Sequence, residues 1–463
     1  MDLLRLRKLP FSTRSNFLYE FQHLLPWSVL AGLVEGQFAS VVVAKTFHGS
    51  SLLIAIATAT PFAAYVFSLV WGMLCVGRRK LRLAVLFGAG TALCTAVAGL
   101  IPAWPSSAIW FILQIAAAQV LLAGVVTVRS AIWRSNYPSE VRGQIAARLQ
   151  ALRSIISVLT VQIAAALCDR EPTAYRYVFP IAAALGMVGV LMLRRVHIRG
   201  EQGELRRTRT PSSNDRLTEG MIEAFRWSAL LSPGQVWSQM VRVLRDDRRF
   251  ALYCVAQFLQ GAANLMTIAI VVRVVTRDLH SDDRWGFWIS TALIVALPNL
   301  GLLGSIGRWG RLFDGLGVLR FRVVNVMCWA ASIVMGLAGT LVVVGADDLG
   351  PVFFPIGVAL FALRGILHGL GQGGGTLAWN LGHLHFARPE QAEVYMGIHV
   401  FLAGVRGLIA PLGGMWLWTI IGWPVWLIAL GLALAGLAVY AGMARYERRE
   451  AAGVWDAKGD GQR

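Results

Sequence analysis

Glu35, Arg153, Arg364 and Arg406 each fall inside a long apolar stretch, where an ionised side chain has little water to solvate it. A charge left at the centre of such a stretch costs on the order of 2.5–3.5 kcal/mol unless it pairs, protonates or faces an aqueous cavity. A glutamate can escape that cost by taking up a proton, whereas a guanidinium stays charged and needs a partner. Glu35, between Gly32 and Gly36, is therefore the residue suited to gaining and losing a proton. The alternative is a structural Glu–Arg pair that never titrates. Gln257, Gln260 and Asn264 recur at i, i+3 and i+7, and Arg364, His368 and Gln372 at i, i+4 and i+8, so each set shares one helical face. Two polar stripes at that depth suit contact with a solute, although for any one amide an interhelical hydrogen bond is an equal alternative. His399 and Asn380 fall nearer a polar boundary. The arginines outnumber the one deeply buried acid, and a low dielectric magnifies the excess. That favours an anionic or zwitterionic solute over a lipophilic cation. Arg364 is the first choice for contact, and Arg153 and Arg406 are open to a second reading as anchors turned towards neighbouring helices.

The elements that must position these residues are apolar blocks of about twenty residues, the length a helix needs to cross a bilayer core about 30 Å thick. The blocks predict twelve helices, at 22–44, 51–75, 82–101, 107–131, 146–168, 175–194, 250–272, 285–304, 322–345, 352–378, 397–420 and 423–443. The chain thus reads as an all-α polytopic membrane protein of two six-helix bundles, 1–195 and 249–445. A linker at 196–248 and a tail at 446–463 complete it. Leu217–Leu231 in the linker is patterned as a short amphipathic surface helix or a plain connector. Arginines fall on alternate connections, with Arg78, Arg79 and Lys80 on one and Arg308, Arg311 and Arg320 on another, so both termini are expected in the cytoplasm. The basic start, Arg5 to Arg14, precedes a block too long and too polar in its middle for a cleavable signal and is expected to be retained.

Hydrophobic residues make up 56% of the chain and charged residues 15%, too little charge for a soluble surface of this size. The net charge of +18 lies beside apolar segments, which suits anionic membrane lipids and argues against a nucleic-acid partner. Five cysteines without a C-x-x-C pair suggest neither zinc nor a disulfide framework. No G-x-x-x-x-G-K-[ST] loop occurs, and His383 and His385, two apart, do not share a helical face. No catalytic residue, metal or cofactor is therefore expected.

Four stretches carry a resemblance. Gly310-Arg311-Leu312-Phe313-Asp314-Gly315-Leu316-Gly317-Val318-Leu319-Arg320 has the spacing G-x-x-x-D-x-x-G-x-x-R, and Gly72 to Lys80, with Gly77 and Arg78, is a shortened counterpart lacking the aspartate. Arg364 is followed by His368-Gly369-Leu370-Gly371, and Gly404 to Gly414 contains Gly407, Pro411 and Gly413. The halves also correspond faintly, Ala131-Ile132-Trp133 with Arg153 matching Leu377-Ala378-Trp379 with Arg406. In these features the chain resembles the major facilitator superfamily of transporters. The resemblance implies a central cavity lined by the first, fourth, seventh and tenth helices, which puts Glu35 and Arg364 where solute passes. It also makes Gly310, Asp314, Gly317, Arg320, Gly72, Gly77 and Arg78 parts of unequal cytoplasmic latches, or else ordinary surface turns. The implied protein is a monomeric secondary active transporter of the inner membrane, coupled to protons. A multidrug-type proton antiporter exporting amphiphilic compounds and a transport-inactive sensor or partner-binding protein are the alternatives.

Overall fold

The computed structural model describes residues 10–75, 78–203, 205, 233–279, 286–345, 352–387 and 392–459, with the side chains of some of these, Asp314 and Asn380 among them, outside the description. The apolar blocks are helical because hydrocarbon offers the backbone no hydrogen bonds, so each segment must satisfy its own. In chain order they are α1 Phe11–Glu35, α2 Phe38–Lys45, α3 Ser51–Ala63, α4 Ser68–Cys75, α5 Lys80–Leu100, α6 Ala108–Asn136, α7 Ser139–Arg170 and α8 Tyr175–Leu193. There follow α9 Pro233–Asp246, α10 Arg248–Arg273, α11 Gly286–Thr291, α12 Leu297–Leu316, α13 Val318–Val344, α14 Phe353–Leu381, α15 Ala392–Ile421 and α16 Val425–Gly459. π-helical turns at Val274–Asp278 and Ala292–Ala296 extend α10 and join α11 to α12.

Among the described residues ten helices are long and apolar enough to cross a membrane, or eleven if the bent pair α1 and α2 is one span. The expected second span, 51–75, is the one that falls short, because it is interrupted. Pro61 cannot donate to the carbonyl four residues back, at Ala57, and the Thr60 hydroxyl bonds that carbonyl instead at 2.8 Å. A 3₁₀ turn, Ala64–Phe67, then separates α3 from α4. The first span also differs from expectation: it starts at Phe11 and bends by 49° between Glu35 and Phe38. Leu217–Leu231 lies outside the described residues. The amphipathic helix that is described comes just after it, in α9, where Trp237 and Val241 are exposed.

The chain packs as two compact units, one of Met1–Met240 with Val271–Asn299 and one of Val241–Ile270 with Leu300–Arg463. In the first unit glycines let helices close on one another around Trp27, Phe87 and Phe179. At Gly189 in α8 an added Cβ would lie 2.9 Å from the Trp27 backbone nitrogen and 3.0 Å from the His23 carbonyl in α1. In the second unit Gly371 of α14 receives the Trp329 ring of α13, its Cβ position lying 2.8 Å from the indole. Gly189→Val should therefore force α1 and α8 apart, costing about 1–3 kcal/mol. Melting of the purified protein in detergent should drop by several degrees, while Gly431→Ala, where a Cβ meets nothing within 4 Å, leaves the midpoint unchanged.

Candidate functional site

In the first unit, Glu35 is the last residue of α1, and its Oε2 is ion-paired with the Arg153 Nη2 of α7. The side chains are 27% and 16% exposed, so the pair is largely withdrawn from solvent. The approach that brings them together is set one turn earlier. An added Cβ at Gly32 would lie 2.8 Å from the Ser157 Oγ and 2.9 Å from its Cα, so only glycine lets α1 and α7 meet this closely. Immediately after Glu35, Gly36 turns extended and the helix breaks. The break frees carbonyls, and the Gln119 amide of α6 donates to one of them, Val34, at 2.8 Å. A separate short polar chain lies just beyond the break: Thr58 donates to the Ser40 hydroxyl at 3.2 Å, and Ser40 to the Gln37 side-chain Oε1 at 3.1 Å. The two sequence-predicted charges Glu35 and Arg153 are thus brought together at a broken membrane helix, an arrangement suited to binding ions or polar groups.

In the second unit, Arg364 of α14 is 4% exposed, and its Nε has no hydrogen-bond partner. His368, one turn on, stands edge-on to Trp329 at 4.6 Å, whereas Gln372 is exposed. Gln257, Gln260 and Asn264 of α10 are all buried. Arg406 of α15 reaches the same helix: its Nη1 donates to the Gln257 carbonyl at 2.6 Å, and its guanidinium lies flat on Gly261, where any side chain would collide with it. The Gln257 amide also meets the His399 Nε2 at 3.3 Å, and the His399 ring packs on Trp379 at 4.3 Å. Arg322 of α13 completes the set. It sits between the rings of Tyr253 and Tyr440, 5.6 and 5.7 Å from their centroids, and donates to the Tyr253 hydroxyl at 3.1 Å. Among the described residues none of these three arginines has a carboxylate partner, and the partners that offset their charge are two tyrosine faces, a tyrosine hydroxyl and a backbone carbonyl.

The predicted latch residues divide. Gly317 adopts φ +71° at the start of α13, a left-handed turn that favours glycine, while Gly310 and Gly72 face no neighbouring atom within 4 Å. Arg320 and Arg78 are exposed. Gly77 and the Asp314 side chain lie outside the described residues. The sequence reading missed three polar contacts of the first unit. Asp169, at the end of α7, accepts from the backbone nitrogens of Phe287 and Trp288 at 2.7 and 2.9 Å. A turn away, Thr291 donates to the Gln162 side chain at 2.6 Å. Glu20, 3% exposed, accepts from the Trp133 indole at 2.5 Å and the Tyr137 hydroxyl at 2.9 Å. Glu20 was findable, since an acid ten residues into a membrane helix is as costly as Glu35. It escaped because the expected helix began at residue 22.

The family profile described as Major Facilitator Superfamily matches residues 25–363, well over half of the chain. No curated protein matches in sequence. Among solved structures the chain is similar to the nucleoside transporter NupG, at 14% identity and a TM-score of 0.64, over 92% of this chain and 98% of that one. It is similar to a POT family transporter in complex with a thioalcohol-conjugated peptide, at 14% identity and a TM-score of 0.62, over 96% and 99% of the two chains. It is also similar to the xylose transporter XylE from E. coli in an inward open conformation, at 12% identity and a TM-score of 0.56, over 92% and 94%. At these identities the likeness is one of fold.

The ion pair makes a checkable statement about stability. Arg153→Met strands the Glu35 carboxylate, whereas Arg153→Met combined with Glu35→Gln removes both charges. The single variant should melt lower than the double variant. The loss should fall below the ~3–5 kcal/mol typical of breaking a fully buried pair, because 27% of the Glu35 side chain remains exposed. Equal midpoints for the single and double variants would show that the pair is not coupled.

Proposed function

The chain belongs to the major facilitator superfamily, a family of membrane transporters, and on that premise we propose that it is a secondary active transporter driven by protons. It moves a small anionic or zwitterionic solute by alternating access, through twelve spans in two bundles, 1–195 and 249–445, with both termini in the cytoplasm. The interrupted segment Ser51–Cys75 and the bent α1–α2 pair supply the spans beyond the ten continuous ones. The observation that carries the coupling is the Glu35–Arg153 pair at the break between α1 and α2. While paired, the carboxylate is charged and its cost is offset. When the pair opens, the carboxylate takes a proton and enters the low-dielectric interior neutral. One site thus alternates between a proton-free paired state and a protonated unpaired one.

The solute preference is supported by the second unit. A solute carboxylate or phosphate would give Arg364 the partner its Nε lacks, with His368 one turn along the same helix. In the glycine- and proline-bearing stretch Gly404–Gly414, which resembles an antiporter motif, Gly414 has a packing role against the backbone of Met266, whereas a Cβ at Gly413 would meet nothing within 4 Å. The structural relatives are a nucleoside transporter, a transporter in complex with a conjugated peptide and a xylose transporter, three different chemistries, so the fold leaves the choice of solute to these side chains.

Two measurements test the reading. In proteoliposomes under an imposed pH gradient, Glu35→Gln should abolish gradient-driven accumulation while leaving downhill exchange of the same solute. Unchanged pH dependence would end its coupling role. In a binding screen of the purified protein against acids, amino acids, sugars and lipophilic cations, acids or amino acids should bind best. Arg364→Ala should weaken that binding by about 1.5–3 kcal/mol, roughly tenfold to a hundredfold in Kd. Best binding of cations, indifferent to Arg364→Ala, would refute the charge preference.

A further inference from the structure

Where the start of α10 meets the Val439–Glu447 stretch of α16, the second unit holds a groove of about 410 Å³. Its apolar wall is built from Leu252, Leu319, Phe386, Val439 and Met443, and charge reaches it from Arg248 and Arg249 in the first turn of α10 and from Glu447 of α16. The two chemistries are graded along the helices. On α16 the lining runs from Val439 through Gly442 and Met443 to Tyr446 and Glu447, apolar first and polar last. On α10 the order is reversed, from Arg248 and Arg249 to Leu252. The Arg249 Nη2 donates to both Glu450 carboxylate oxygens, at 2.6 and 2.7 Å, and so links the first turn of α10 to α16 on the polar side of the groove. The groove is therefore polar towards the first turn of α10 and apolar further along that candidate span.

Charge in this region is unbalanced in one direction. Among the described acids nearby, Glu450 is engaged by Arg249, Glu447 by His385 at 2.7 Å, and Asp247 by the Phe250 nitrogen at 2.9 Å and the Tyr395 hydroxyl at 3.0 Å, which leaves Asp246, exposed on α9, against several arginines. Arg248 is exposed and has no partner among the described residues. Arg445, Arg448 and Arg449 on α16 are exposed as well. The space itself is left open by Gly442, where an added Cβ would meet nothing within 4 Å. Directly before α10 in the chain, α9 is an amphipathic helix with Trp237 and Val241 exposed, the pattern of a segment lying in the headgroup layer.

From this gradation and charge we infer that the groove is a binding site for one anionic phospholipid, its phosphate on Arg248 and an acyl chain along Leu252, Val439 and Met443. Free phosphate would use the cation alone and leave the apolar wall unfilled; a phosphatidylcholine would fill the wall and, being neutral overall, gain little from the arginines. The claim concerns headgroup and chain chemistry and stands whichever side of the membrane α10 begins on, and whatever the solute.

The test is lipid retention by native mass spectrometry of the full chain in detergent, supplied with phosphatidylglycerol or phosphatidylcholine. Wild type should retain phosphatidylglycerol about fivefold better for each arginine that reaches the headgroup. Arg248→Gln should bring the two lipids close to parity, and Gly442→Leu, which fills the groove, should lower retention of both. Arg248 is exposed, so its variant keeps the test valid even if Gly442→Leu fails to fold. Equal retention of the two lipids by wild type, or unaltered phosphatidylglycerol retention in both variants, overturns the inference. So does displacement of phosphatidylglycerol by millimolar inorganic phosphate, which would make this a simple anion site. Retention of neither lipid would assign the groove to another occupant, such as a segment of this chain, and would overturn it too.

Discussion

Hydrocarbon supplies no hydrogen bonds, so wherever a helix of this chain is interrupted inside the membrane, the freed backbone must be satisfied from within the protein. Much of the polar structure of the first unit follows. The Val34 carbonyl at the end of α1 takes the Gln119 amide, and the Ala57 carbonyl left by Pro61 takes the Thr60 hydroxyl. The Thr58–Ser40–Gln37 chain fills the bend between them. Each repair brings a polar side chain to membrane depth, and the repaired break is where Glu35 and Arg153 meet. The buried ion pair and the discontinuous helix thus occupy the same place, each supplied with polar groups by the other's surroundings.

The second unit meets a different demand, that of cations which cannot be discharged. Arg322 is offset by two tyrosine faces and a hydroxyl, and Arg406 by a helix carbonyl and a glycine that admits its flat guanidinium. Both are structurally employed, joining α10 to α13, α15 and α16. Arg406 also leaves its Nε without a partner, but Arg364 differs in that no nitrogen of its guanidinium has a hydrogen bond among the described residues, and that difference separates a candidate contact residue from two anchors of the same residue type.

Span positions were legible from hydropathy because lipid-facing helices must be apolar along nearly their whole length. The limits of the reading arise where that rule relaxes. Tyr19, Glu20, Gln22 and His23 lower the local hydropathy and hid the first turns of α1, although protein and not lipid surrounds Glu20 and His23. Glu35 and Arg153 could each be picked out as costly charges, but their pairing depends on how closely α1 and α7 approach at Gly32, which only tertiary packing decides. The stripe of Gln257, Gln260 and Asn264 is buried as its spacing suggested, whereas Gln372, on the same helical face as Arg364, is exposed, because helical phase alone does not say what covers each turn. The Asp169 contacts to Phe287 and Trp288 join residues far apart in the chain through backbone nitrogens, and backbone donors leave no mark on residue type.

The contrast between a neutralised pair in one unit and three un-neutralised arginines in the other has an electrical consequence. A cell membrane carries a voltage, and moving one elementary charge through all of it is worth about 2.3 kcal/mol per 100 mV. Arg322, Arg364 and Arg406 are permanent charges on helices with no carboxylate riding beside them among the described residues. If their helices shift along the membrane normal by a tenth of the field, the three together do about 0.7 kcal/mol of work at 100 mV, while Glu35 and Arg153, moving as a pair, do almost none. The anionic cargo proposed for Arg364 would cancel part of that charge, so the loaded and empty proteins would feel different forces from the same membrane potential.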